Sequence, residues 1–166
     1  MSVWKLRRTL RPRVRVPSRW RSLALSVALF GIIAEHAAAE DSLPRQHYSE
    51  FKTHAGRGYS LATYFYKPYP DYRGYKYHYV VCPSDHPEHL YLYNPIARTY
   101  YGRMLVVGTR VTGYQSLPPS ARSSTLEEIA DGEFQTQTFL PGIPEAADRE
   151  AMMPPPPEAI EALQPF

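Results

Sequence analysis

The chain has 166 residues, 43% of them hydrophobic, with a formal net charge of +3 at pH 7. That length allows one small domain rather than two, and the single cysteine, Cys82, excludes an intrachain disulfide. The positive charge does not point to nucleic acid, because residues 1–39 carry eight Lys and Arg against Glu35, whereas residues 40–166 carry 11 basic and 15 acidic side chains, a net of −4.

Residues 1–39 read as a targeting leader. A basic flank precedes Ser22–Ala34, SLALSVALFGIIA, an apolar run of 13 residues. A membrane-spanning helix needs about 20 residues, so this length suits the core of a signal peptide. Ala37, Ala38 and Ala39 supply the small residues that a signal peptidase reads, which places cleavage between Ala39 and Glu40. The alternative fate is an uncleaved N-terminal anchor, with residues 22–34 in the inner membrane and the basic flank inside. Either way the rest of the chain is expected outside the cytoplasm, periplasmic or secreted.

Residues 40–58 form a lead-in. Ser42 can cap a short helix running to His54, with Pro44 in its first turn and Leu43, His47 or Tyr48, and Phe51 near one stripe. Gly56-Arg57-Gly58 breaks it and lacks the preceding strand and third glycine of a dinucleotide loop.

The segment 59–140 is the predicted domain, and Tyr59–Tyr101 holds 12 of the 14 tyrosines. Four stretches alternate with period two, as strands require: Leu61–Lys67, Tyr75–Cys82, His89–Asn94 and Thr99–Val107. Proline, glycine and asparagine punctuate the links between them, and short links favour antiparallel neighbours. A fifth strand is expected over Arg110–Gln115, after Gly108. The fold class is therefore mainly β: a small antiparallel meander of three to five strands, with a short helix and a disordered Pro-rich acidic tail.

Alternation sorts the side chains by face. Tyr64 and Tyr66 oppose Leu61 and Phe65; Tyr75, Tyr77, Tyr79 and Val81 oppose Lys76, His78, Val80 and Cys82; Tyr91 and Tyr93 oppose Leu90 and Leu92. The simplest register gathers all the tyrosines on one side and the aliphatic residues on the other. Tyr100 and Tyr101 fall on opposite faces, which leaves the fourth strand ambiguous. A buried tyrosine needs its hydroxyl satisfied, so the aliphatic face is expected to be the dry core. The tyrosine face is then either cross-strand packing for stability or an aromatic platform for a ligand.

The runs Gly74-Tyr75-Lys76-Tyr77-His78-Tyr79-Val80-Val81, Leu90-Tyr91-Leu92-Tyr93-Asn94-Pro95 and Tyr100-Tyr101-Gly102-Arg103 resemble a group of small exported bacterial proteins. Members of that group are tyrosine-rich and end in acidic, proline-rich tails. The resemblance covers roughly residues 60–160; it implies the same domain layout and adds nothing about chemistry. Tyr91-Leu92-Tyr93-Asn94 with Arg98-Thr99 is also similar to the second strand and turn of a WW-domain hairpin. The docking tryptophan of that family is absent, since Tyr101 or Gly102 holds its place and Trp4 and Trp20 lie in the leader.

After Leu117-Pro118-Pro119, Ser124-x-x-Glu127 has the form of a capping box before a short helix that Gly132 would end. Residues 141–166 then read as a disordered acidic spacer with Pro154-Pro155-Pro156-Pro157 at its centre and one or two helical turns possible over Glu145–Met153. Residues 117–166 have a net charge of −7 and residues 40–116 a net of +3, so the tail and the tyrosine region attract one another. Pro-rich segments dock on aromatic grooves, which makes docking of this tail on the tyrosine face the alternative to a solvated spacer.

One constellation suits a metal: Cys82, Asp85, His86 and His89, with His78 on the adjoining strand. Thiolate, carboxylate and imidazole ligands fit zinc or copper, although Cys82-x3-His86-x2-His89 matches no structural zinc pattern. No nucleophile motif accompanies these groups, so no enzyme and no resident cofactor is expected. The reading is an exported, non-catalytic interaction or structural module of the cell envelope. Its face of Tyr64, Tyr66, Tyr75, Tyr77, Tyr79, Tyr91 and Tyr93 would contact a polysaccharide, a Pro-rich peptide or a second copy. The alternative is a small metal-binding protein using Cys82, Asp85, His86 and His89.

Overall fold

A computed structural model describes residues 44–163. These lie within the second of two compact units, residues 42–166. The leader, its cleavage point at Ala39 and Glu40, and the apolar run 22–34 lie outside the described residues. No helix among the described residues is long and apolar enough to cross a membrane.

The fold is mainly β. Among the described residues, eight strands form one antiparallel sheet: β1 (Gln46–Tyr48), β2 (Lys52–His54), β3 (Tyr59–Tyr66), β4 (Lys76–Pro83), β5 (His89–Asn94), β6 (Thr99–Val107), β7 (Arg110–Ser116) and β8 (Gln135–Gln137). Their order is β1-β3-β4-β5-β6-β7-β8, with β2 also paired to β3. Strands β3 to β7 are the meander that period-two alternation predicts, and β5 and β6 keep the predicted ends. The sheet exceeds three to five strands because β1, β2 and β8 are three residues each, too short to show a period.

The described part of the lead-in, from Pro44, contains no α-helix. β1 and β2 lie along successive halves of β3, Gln46 opposite Tyr66 and His54 opposite Tyr59. Ser49 sits between them, donating its N–H to the Thr63 carbonyl at 2.9 Å and accepting the Thr63 N–H on Oγ at 2.8 Å. An unpaired strand edge offers a row of donors and acceptors, and that long-range pairing outweighs a short helical stripe. The capping-box segment is likewise not an α-helix; it runs as turns into a 3-10 turn at Asp131–Glu133. Ser123, not Ser124, meets a carboxylate there, donating its hydroxyl to Glu128.

The β3–β4 register decides the two faces. It sets Tyr64 opposite His78 and Ala62 opposite Val80. Tyr64 and Tyr66 therefore share a face with Val80, Cys82, Leu90, Leu92, Met104 and Tyr114 and are fully buried among them. Gathering every tyrosine on one side is thus corrected for the first pair. Tyr77, Tyr79, Tyr91 and Tyr93 do share the opposite face, since Tyr79 pairs with Tyr93 and Val81 with Tyr91.

Buried phenols need partners, and neighbouring side chains supply them. Tyr64 donates to Gln46 Oε1 at 2.6 Å, and the buried His78 ring lies between Tyr101 Oη at 3.0 Å and Tyr66 Oη at 3.4 Å. Burial pushes the Tyr64 phenol up, with the Tyr66 and Glu150 charges adding to it, and pushes Tyr66 up to about 12. Gly102 leaves room for Tyr114, because a Cβ there would come within 2.6 Å of the Tyr114 hydroxyl and 2.7 Å of the Gln115 carbonyl.

Residues 141–163 are a packed layer, which corrects the solvated spacer. Ile143, Met152 and Ile160 are buried in the same core as Tyr64 and Leu92. The short helix α1 is Pro157–Glu161, not Glu145–Met153. Charge holds the tail as the sequence asymmetry predicts. Arg45 Nη1 is 2.5 Å from both Asp148 and Glu150, holding the Asp148 carboxyl below the usual range, and Lys76 pairs with Glu145. Gln46 completes the seam, accepting the Met153 N–H at 2.7 Å and donating to the Ala151 carbonyl at 3.1 Å and Glu150 at 2.9 Å. The docked face is that of Tyr64 and Tyr66, not that of Tyr77 and Tyr79.

Two outcomes follow from this packing. Met152→Ala removes a side chain that is 1% exposed, and chemical denaturation should show a loss of about 2–5 kcal/mol; an unchanged midpoint would mean that the tail is not part of the core. His78 is held neutral, its pKa lowered by burial from 6.5 to about 4, with Lys76 adding to the effect and Glu145 opposing it. The unfolded chain therefore binds the proton first, and stability falls as pH drops from 6.5 towards 4, by roughly 3 kcal/mol at the lower end. Melts across that range should show a steeper slope in the wild type than in His78→Gln, which keeps the contribution of the other shifted groups, Asp148 and Asp131 among them.

Candidate functional site

The second sheet face is the candidate site, and it is covered only in part. Leu117, Ala121, Leu126, Ile129 and Phe134, all from the segment after β7, pack on Val81, Tyr91, Tyr93 and Tyr100. Arg103 fastens this cover. Its guanidinium lies 4.0 Å from the Phe134 ring centroid and 5.9 Å from that of Tyr91, an arrangement favourable for a cation over aromatic faces. It also donates to Asp131 at 2.7 Å and Gln115 at 2.7 Å, and the guanidinium lowers the Asp131 pKa.

Tyr91 is consequently 7% exposed and belongs to packing. Beyond the cover the face opens. Tyr77 is 44% exposed, and Tyr79 and Tyr93 are half-buried. Ring centroids step from Tyr77 to Tyr79 at 5.6 Å, Tyr79 to Tyr93 at 6.5 Å with planes 18° apart, and Tyr93 to Tyr100 at 4.9 Å. Burial raises the Tyr79 pKa and pushes Tyr100 up to about 12, so these hydroxyls stay protonated as donors at neutral pH.

At one end the row meets a cleft of about 510 Å³. Tyr59, Val81, Tyr100 and Leu126 give it apolar walls, and Arg57, Ser84, Asp85, Ser124, Thr125 and Glu127 line it with polar groups. At the other end Tyr75 is tied down, donating its hydroxyl to the Pro44 carbonyl at 2.6 Å and lying edge-on to His47 at 4.7 Å. His47 also stacks on Phe65 at 4.9 Å, and its buried Nδ1 has no hydrogen-bond partner.

The seven tyrosines thus separate into three groups. Tyr64 and Tyr66 are core, Tyr91 is under the cover, and Tyr75, Tyr77, Tyr79 and Tyr93 line the opposite face. Sequence reasoning missed Tyr59, Tyr100 and the cleft. Tyr100 reaches this face because β6 carries one extra residue against β5: Leu92 pairs with Gly102 and Tyr93 with Tyr100, a bulge at Tyr101. The only sequence signal for it was the conflict between the adjacent Tyr100 and Tyr101.

The four metal-candidate residues also separate. Cys82 points into the core of the tail-covered face, and burial pushes its thiol up to about 11, with the Glu88 charge adding to it. Asp85 lines the cleft. Only His86 and His89 come together, and Glu88 joins them, the ligand atoms of all three lying within 4.8 Å of one another.

Comparison with family models, curated proteins and solved structures finds no match for this chain.

Proposed function

We propose that the protein is an exported, non-catalytic binding module of the cell envelope that holds a polysaccharide along the row Tyr77, Tyr79, Tyr93 and Tyr100. The observation that carries this reading is the row itself, with Tyr77 44% exposed and Tyr79 and Tyr93 half-buried beside it where the chain's own cover ends. Aromatic rings offer flat apolar area to the C–H faces of sugars at little entropic cost. Polar groups placed beside such area orient a ligand, and the cleft supplies them at the Tyr100 end. A Pro-rich peptide fits less well, because the chain's own proline segment docks on the other side of the sheet, where Pro156 lies beside Tyr48 and Phe51. Export rests on the basic flank, the apolar run 22–34 and the small residues before Glu40.

Co-sedimentation with insoluble polysaccharides, peptidoglycan, chitin and cellulose in turn, tests the row. Tyr77→Ala removes the most exposed ring, worth about 1 kcal/mol, and should weaken retention roughly fivefold, with Tyr77→Phe close to wild type. Equal retention of Tyr77→Ala on every polysaccharide that holds the wild type would sink the reading. Self-association abolished by Tyr77→Ala, with no retention on any of them, would replace it by a dimer face. N-terminal sequencing of protein recovered from bacterial cells checks export, with Glu40 as the expected first residue; recovery of the intact leader in the cytosolic fraction would refute it.

A further inference from the structure

The β4–β5 connection carries a different chemistry. His86 and His89 sit three residues apart on a tight turn, with His86 N–H bonded to the Pro83 carbonyl at 3.3 Å and His89 N–H to the His86 carbonyl at 3.0 Å. That turn brings both imidazoles to one side, with ring centroids 6.1 Å apart. Glu88 places one carboxylate oxygen between them, 3.2 Å from His86 Nδ1 and 3.5 Å from His89 Nδ1. The His89 nitrogen is buried and makes no hydrogen bond, although a carboxylate lies just beyond reach. A buried, unbonded imidazole nitrogen is costly. Here it faces two other ligand groups, one of them a negative charge.

We propose that His86, Glu88 and His89 bind one divalent ion of the zinc or copper(II) type. Two imidazoles and a carboxylate are a donor set for these borderline ions, and harder ions such as magnesium and calcium prefer oxygen ligands alone. A tetrahedral ion held at about 2.0–2.1 Å needs its ligand atoms roughly 3.3 Å apart. The present spread within 4.8 Å closes by rotation of His86, whose side chain is 58% exposed. Three protein ligands leave one position open to water or to a group from another molecule. The set differs from that suggested by sequence spacing, since Cys82 and Asp85 are not in it. It is independent of the sugar reading, because none of the three residues lines the cleft or belongs to the tyrosine row.

Titration of tag-free, metal-stripped protein with zinc and with copper(II), followed by calorimetry and elemental analysis, tests the site. The expected result is one ion per chain. His86→Ala and Glu88→Gln should each weaken binding by more than about tenfold, and Cys82→Ser should leave it unchanged. His86 and Glu88 are exposed, so both variants should keep the wild-type melting behaviour, which separates loss of a ligand from loss of fold. Absence of stoichiometric binding, binding that survives His86→Ala with His89→Ala, or binding lost in Cys82→Ser would each overturn the proposal.

Discussion

The pairing of β3 with β4 is the constraint on which the rest depends. Side chains alternate with period two, so a slip of one residue would exchange every contact of β3 between faces. In the observed register Tyr64 lies opposite His78, and Tyr66 opposite Lys76. This brings two tyrosines into the aliphatic core and sends Leu61 to the side of Tyr79, Val81 and Tyr91. Each face then has apolar area to bury. One sheet cannot bury both of its faces unaided, and the chain answers with two covers, the segment 117–134 on one side and the tail 141–163 on the other.

Bringing phenols into the core creates a second requirement. Each hydroxyl needs a partner, or burial of the ring costs more than it returns. Gln46 and His78 meet it from neighbouring strands, and both are themselves buried. Gln46 then uses the rest of its amide to hold the tail at Ala151 and Met153. A polar residue on a three-residue edge strand thereby joins three layers: the lead-in, the central sheet and the C-terminal segment. The same logic explains why a tail rich in proline and acid is ordered. It contributes few apolar residues, but Ile143, Met152 and Ile160 reach the core, and Arg45 and Lys76 meet its carboxylates.

Much of the sheet was legible in the sequence, because alternation and turn chemistry are local signals. Within β4 and β5 the faces follow directly from the pattern Lys76 to Cys82 and His89 to Asn94. Register between strands is not local, and the pattern of Tyr64 and Tyr66 fits either face until a partner is fixed. The lead-in reads as a helix because Leu43, His47 or Tyr48, and Phe51 fall near one stripe, whereas the open edge of β3 that claims this segment is a tertiary fact. The tail's charge was readable and its docking face was not, since attraction of net charge carries no direction. Among the site residues the exposed tyrosines of β4 were legible. Tyr100 depends on a bulge, and Glu88 is brought to His86 and His89 by the turn, while Cys82 lies on the face opposite Tyr79, where alternation puts it.

The division of labour between the covers explains which surface is left open. Segment 117–134 is short, and its ring Phe134 stops over Tyr91, where Arg103 and Asp131 pin it. Tyr91 is thereby taken from any ligand, and Tyr77, at the far end of the same face, is left open. The tail could have covered that remainder, but its positive partners Arg45 and Lys76 draw it to the other side. Tyr77 is thus the part of this face that neither cover shields. Tyr79 and Tyr93 are half-buried beside it and pack against the core of this face. On the proposed reading, continuity of the row with the cleft at Tyr59 and Tyr100 gives it a polar end, and so a direction for an extended ligand.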